Sequence, residues 1–112
     1  MYFVVAHGNI TNSPKNFTAD VGSRVHLNCT TTAEGYLPSW TLNKDGTNED
    51  FTVIAYFCDV QSDYIYDYAV ESGGPGVCNL MIPRVTLAEA GVYTCIDASL
   101  ASASSVVTVV GK

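Results

Sequence analysis

The chain has 112 residues, of which 47% are hydrophobic and 14% charged, and its formal net charge is −6. That length suits one domain, and that composition suits a packed globule rather than a disordered segment. The acidic balance excludes nucleic acid and anionic membranes as natural partners, and no apolar run approaches the ~20 residues of a transmembrane helix.

Taken in order, the opening Tyr2-Phe3-Val4-Val5-Ala6 is too short for a secretory h-region and lacks a basic start. Met1 therefore reads as standing where a leader was removed, and any membrane anchor is expected outside these residues. Asp20-Val21-Gly22-Ser23 reads as a turn. Val25, Leu27 and Cys29 then alternate with Arg24, His26 and Asn28, the period-two pattern of a strand with one buried face. Trp40 and Leu42 form the next inward pair, and Asn43-Lys44-Asp45-Gly46 marks a hairpin turn, because Asp-Gly tolerates positive φ. Phe51 to Phe57 predicts a strand, and Tyr64-Ile65-Tyr66-Asp67-Tyr68 predicts another with three tyrosines on one face. Ser72-Gly73-Gly74-Pro75-Gly76 breaks the chain before Leu80 and Ile82. Gly91 to Ile96 and Val106 to Val110 are the last two strands, joined by a small-residue turn between Ser99 and Ser102. No stretch keeps a 3.6-residue period, and neither repeat nor linker interrupts the pattern. The prediction is an all-β domain spanning residues 1–112.

Four cysteines and three Asn-x-Ser/Thr triplets, at Asn9, Asn16 and Asn28, point to an oxidising compartment and a glycoprotein. Zinc is the competing use of four cysteines. It favours pairs two to four residues apart, whereas Cys29, Cys58, Cys78 and Cys95 are widely spaced. Asp45, Thr47, Asn48, Glu49 and Asp50 offer oxygen ligands but lack a complete calcium loop with its distal Glu, so a solvated turn is expected there. Catalysis finds no support either. The two histidines are His7 and His26, and no motif brings a nucleophile to either. No metal, cofactor or catalytic residue is expected.

The register of the remaining residues is more specific. Cys29, Trp40 eleven positions on, and Leu80, Ile82, Val85, Glu89, Gly91, Tyr93 and Cys95 in fixed spacing resemble the core signature of the immunoglobulin superfamily, over residues 22–110. The resemblance implies a two-sheet Greek-key sandwich with Cys29 bridged to Cys95 across the core and Trp40 packed on the sulfurs. It also implies a tyrosine corner at Tyr93. The 66 positions between Cys29 and Cys95 suit the variable (V-set) type, with extra strands in the middle supplied by residues 51–57 and 64–68. Cys78 shares parity with Leu80 and Ile82, and a bridge to Cys58 would clip those strands to the sandwich. Two features depart from antigen-receptor domains. No basic residue stands near Tyr66 to pair with Glu89, and residues 101–105 lack the joining-segment glycines. The domain is more similar to membrane-distal domains of adhesion and allorecognition receptors, including those of colonial invertebrates.

That resemblance implies an extracellular recognition domain of a single-pass cell-surface protein. It would bind a protein on an opposing cell, its own kind included, through a weak contact. The alternative is an innate-type immune receptor domain whose loops capture a carbohydrate or pathogen ligand. For the first reading, parity turns Val92, Thr94 and Ile96 outward when Tyr93 and Cys95 point inward, and turns Val106, Thr108 and Val110 outward when Val107 and Val109 face the core. With Tyr56 beside them, these residues form the expected contact face. Tyr36, in the loop between the first two core strands, is a further candidate. Tyrosines suit binding surfaces and half-buried strands alike. Glycans at Asn9, Asn16 and Asn28 are expected to shield the opposite sheet.

Overall fold

The computed structural model describes residues 9–33, 35–44 and 51–111. The described residues form eleven strands and no α-helix: β1 (Ile10–Asn12), β2 (Phe17–Asp20), β3 (Val25–Leu27), β4 (Thr30–Thr31), β5 (Ser39–Asn43), β6 (Phe51–Tyr56), β7 (Asp59–Val60), β8 (Ala69–Glu71), β9 (Asn79–Ile82), β10 (Gly91–Ile96) and β11 (Ser102–Val110). They assemble as a six-stranded sheet in the order β2-β11-β10-β5-β6-β7, a three-stranded sheet β3-β9-β8, and a short pair β1-β4. His7 and the Asp45–Gly46 turn with its acidic neighbours up to Asp50 lie outside the described residues.

The inward residues of the two sheets make one core. Val25, Leu27, Leu80 and Ile82 come from the small sheet, and Trp40, Ile54, Tyr93 and Val107 from the large one, all essentially without solvent contact. Each such aliphatic side chain contributes roughly 1.5–3 kcal/mol. Cys29 bridges to Cys95 through the centre, and Trp40 lies directly across from Cys95 in the β5–β10 register. The Trp40 indole, buried and able only to donate, bonds to the Cys78 carbonyl at 2.9 Å. Cys58 bridges to Cys78. A bulge opposite Trp40, where β6 spends an extra residue, lets Ile54 and Ala55 both bury.

Tyr93 occupies the tyrosine corner. Its hydroxyl donates to the Glu89 carbonyl at 2.6 Å and meets the Tyr68 hydroxyl at 2.8 Å. Burial pushes the Tyr68 phenol up to about 12 and raises the Tyr93 phenol as well. Glu89 is buried in a capping box: its carboxylate accepts the Thr86 N–H at 2.8 Å and the Thr86 hydroxyl at 3.0 Å. Gly91 sits at φ 150°, and a Cβ there would approach the Asn43 carbonyl to 2.9 Å, so no larger residue fits.

Two expectations need correction. Residues 64–68 are not a strand. Ser62–Tyr64 is a 3-10 turn, and the Tyr64 carbonyl accepts the N–H groups of both Asp67 and Tyr68. In a helical turn, positions four apart share a side and positions two apart do not. Tyr64 and Tyr68 therefore meet edge to face, Tyr68 enters the core, and Tyr66 is left 90% exposed. The short β7 is the second extra strand. The other correction concerns glycan sidedness. The first strand splits at the buried Pro14, so that β1 pairs with β4 while β2 crosses over and pairs in parallel with β11. Asn16 thus stands at the edge of the large sheet, where its Oδ1 accepts the Val106 N–H at 2.9 Å.

Candidate binding face

The outer face of the large sheet follows from its pairings. Val106, Val92, Asn43 and Phe51 form one cross-strand row, and Ser104, Thr94, Thr41 and Val53 the next; Ser102, Ile96 and Ser39 form a third, with Tyr56 beyond. Val107 is buried while Val106 is 45% exposed, so the last strand has the alternation predicted for it. Thr108 and Val110 are exposed beside β2; Val92, Thr94 and Ile96 are half-buried among their neighbours. Across β11, β10, β5 and β6, no outward residue carries a charge. The polar members satisfy one another in part: the Thr94 and Ser104 hydroxyls bond at 2.8 Å.

At the loop end this face deepens into a groove of about 360 Å³, walled by Tyr36, Tyr56, Phe57, Val53, Ile96 and Leu100. The β6–β7 turn shapes one wall. Phe57 and Cys58 are both left-handed, at φ 49° and 61°, although neither is glycine. Type I′ hairpin turns demand that conformation, and non-glycine residues adopt it only when their surroundings hold them there. Here the Cys58–Cys78 bridge fixes one residue. The Phe57 N–H bonds to the Ser39 hydroxyl at 2.8 Å, and the Phe57 ring stacks on Tyr36 with centroids 4.5 Å apart. Tyr36 and Tyr56, 66% and 56% exposed, are thereby placed on the rim.

Asp97 shapes the other wall. Its buried carboxylate accepts the Ser99 N–H at 2.9 Å, the Ser99 hydroxyl at 2.7 Å, the Ala101 N–H at 3.0 Å and the Thr31 hydroxyl. Burial alone would raise this carboxyl, but the hydrogen bonds from Thr31, Ser99 and Ala101 outweigh it and hold the group below its ordinary value. The same bonds fix Leu100 at φ 71° with its side chain 78% exposed at the rim. Sequence reasoning passed over Asp97, Phe57 and Phe51. Asp97-Ala98-Ser99 at the start of a hairpin is an Asx-turn signal that would have found the first. Nothing local marks the other two, because their position depends on the bulge and the turn.

Asn9 and Asn28 are exposed away from this face, Asn28 beside the small sheet's strand β3, whereas Asn16 borders it. The described residues contain no cluster of three metal-binding side chains and no helix long and apolar enough to cross a membrane.

Two interlocked sheets, the Cys29–Cys95 bridge and the tyrosine corner define an immunoglobulin sandwich. The chain belongs to the immunoglobulin V-set domain family, whose model matches residues 12–108. No curated protein matches by sequence. Among solved structures, the chain is similar to the first Ig domain of RIG-5, solved as a homodimer, with TM-score 0.77 and 14% identity over 94% of this chain and 99% of that one. It is similar also to the titin I9–I11 tandem, with TM-score 0.71 and 20% identity over 97% of this chain and 35% of that one. A third is a complex of titin M10 with an obscurin-like 1 Ig domain, with TM-score 0.69 and 19% identity over 94% of each chain.

Proposed function

We propose that this domain works outside the cell as a recognition and adhesion module, by binding and not by catalysis. Its partner is a protein on an opposing cell, and the best-supported partner is a second copy of the same chain. The observation that carries this reading is the uncharged outer face of β11, β10, β5 and β6 on a domain of net charge −6. Soluble domains seldom leave such a face open without a use for it. Two like-charged copies also meet with least repulsion where neither presents a charge. The RIG-5 domain, of the same fold, is a homodimer in its crystal, which gives a precedent for self-pairing by this shape. The contact is weak and gains strength from arrays of copies on a surface.

The test is sedimentation of the purified domain over a range of concentrations, together with aggregation of beads that carry it. Ile96→Asp and Thr94→Arg each place a charge on the face and are expected to abolish association while circular dichroism stays unchanged. Aggregation equal to wild type in both variants would move the site to the loop-end aromatics and favour capture of another ligand there.

A further inference from the structure

On strand β6 the contact face carries a projection and a recess about one contact length apart. Phe51 stands at one end of the strand, 62% exposed, with the outward orientation that its pairing to Asn43 dictates. The groove lies at the other end, walled by Tyr56, Phe57 and Tyr36. Five residues of extended chain separate Phe51 from Tyr56, roughly 16 Å. Resting on the homophilic reading above, we propose that the groove is the docking site for Phe51 of a second copy, so that two copies exchange phenylalanines across a two-fold axis perpendicular to the strands.

The geometry follows from symmetry. Two identical faces pack together only about an axis lying in the plane between them, and the contact is then self-complementary. An axis across the strands exchanges their ends, so the row holding Phe51, Val92 and Val106 meets the loop-end residues of the partner. The middle row of Val53, Thr41, Thr94 and Ser104 meets itself. Val92 then faces Ile96 and Phe51 faces the groove, while Thr41, Thr94 and Ser104, small and hydroxyl-bearing, lie near the axis.

Size and rigidity agree with that occupant. A cavity of about 150 Å³ accepts benzene, and the groove measures about 360 Å³ and is open on one side. Its walls are set before binding: Phe57 by the Cys58–Cys78 bridge and the Ser39 hydroxyl, Leu100 by the bonds to Asp97. A preformed recess loses little side-chain freedom when filled.

The experiment compares Phe51→Lys, Tyr56→Glu and their equimolar mixture by sedimentation equilibrium, in the intact domain with both bridges formed. Both side chains are more than half exposed, so both variants are expected to fold, which circular dichroism checks. Each variant alone is expected to dimerise at least about tenfold more weakly than wild type, as central aromatic anchors do. The mixture is expected to recover pairing to within about threefold. One of its two contacts becomes a lysine–glutamate pair and the other is untouched, whereas each homodimer loses both. Wild-type pairing by Phe51→Lys overturns the proposal, and so does a mixture no tighter than its components. Rescue of Phe51→Lys by Val106→Glu instead overturns it too, since that pairing requires an axis along the strands. If Ile96→Asp abolishes dimerisation while Phe51→Lys does not, the exchange of phenylalanines fails and the contact face stands. If Ile96→Asp has no effect, the face itself fails.

Discussion

The two sheets of this sandwich obey the same alternation and share one core, yet their outer faces have little in common. On the small sheet, His26 projects from β3 with Arg24 and Asn28 exposed at its two flanks, and Glu71 projects from the end of β8; Met81 on β9 accepts a hydrogen bond from the Arg24 guanidinium at 3.1 Å. The large sheet offers Val92, Thr94, Ile96, Val106, Val53 and Thr41 in the corresponding positions. Inward positions are dictated by packing, so the two sheets resemble each other there. Outward positions are free of that demand. A solvated sheet fills them with charge, and a sheet meant to be covered does not.

The largest effect that breaks this comparison comes from the bridges. Replacing Cys29 and Cys95 together by alanine removes a cross-link over 66 positions, worth roughly 4 kcal/mol on the chain-entropy account, and should destabilise both sheets alike. Replacing Cys58 and Cys78 opens a span of 20, worth roughly 3 kcal/mol. That loss should be uneven. Hydrogen exchange is expected to quicken in the β6–β7 turn and self-association to weaken, while β3 keeps its protection. Urea unfolding midpoints and amide exchange check both statements.

A smaller effect distinguishes the core from either face. The Tyr68 phenol is pushed from 10.0 up to about 12, and the Tyr93 phenol is raised too, because burial disfavours their charged forms. The folded state then holds these protons longer than the unfolded chain does. The stability they contribute is complete below pH 10 and is lost as pH rises from there through the folded values. Urea midpoints should be flat from pH 7 to about 9.5 and fall above it. Tyr68→Phe should reduce that fall at a cost of about 1 kcal/mol at pH 7, and Tyr93→Phe, which strands the buried Glu89 carbonyl, about 1–3 kcal/mol.

The smallest effect is local and acid-sensitive. Asp97 is held below 3.8, so its contribution is present above that pH and disappears as pH falls through its folded value. Asp97→Ala is expected to lose about 1 kcal/mol of stability and to weaken self-association severalfold, through release of the Ser99–Leu100 loop from the groove. His26→Ala, on the small sheet, should change neither. Isothermal titration beside thermal melts separates the two readouts.

These experiments concern features that differ in how plainly the sequence displayed them. Cys29, Trp40, Tyr93 and Cys95 were legible because each is tied to its place by covalent or packing demands that admit few residue types. The alternation of β10 and β11 was legible because period two carries through to the outer face. The run from Tyr64 to Tyr68 misled, since tyrosines two apart suit a strand by propensity, and only the backbone bonds to the Tyr64 carbonyl reveal a turn. The groove was hidden for another reason. Phe57 and Cys58 are poor residues for a left-handed turn, and a bridge to a residue 20 positions away is what holds them in it.

The split first strand also decides how the domain bears load. β2 and β11 run parallel, joined by the successive pairs Phe17–Val107, Thr18–Thr108, Ala19–Val109 and Asp20–Val110. Tension applied at the two ends of the chain pulls these neighbours past each other along their length. The hydrogen bonds between them are therefore sheared together and not opened one at a time. Pro14 marks the point where the chain leaves β4 and crosses to β11, and under a load of that kind the crossing sets four successive residue pairs in shear.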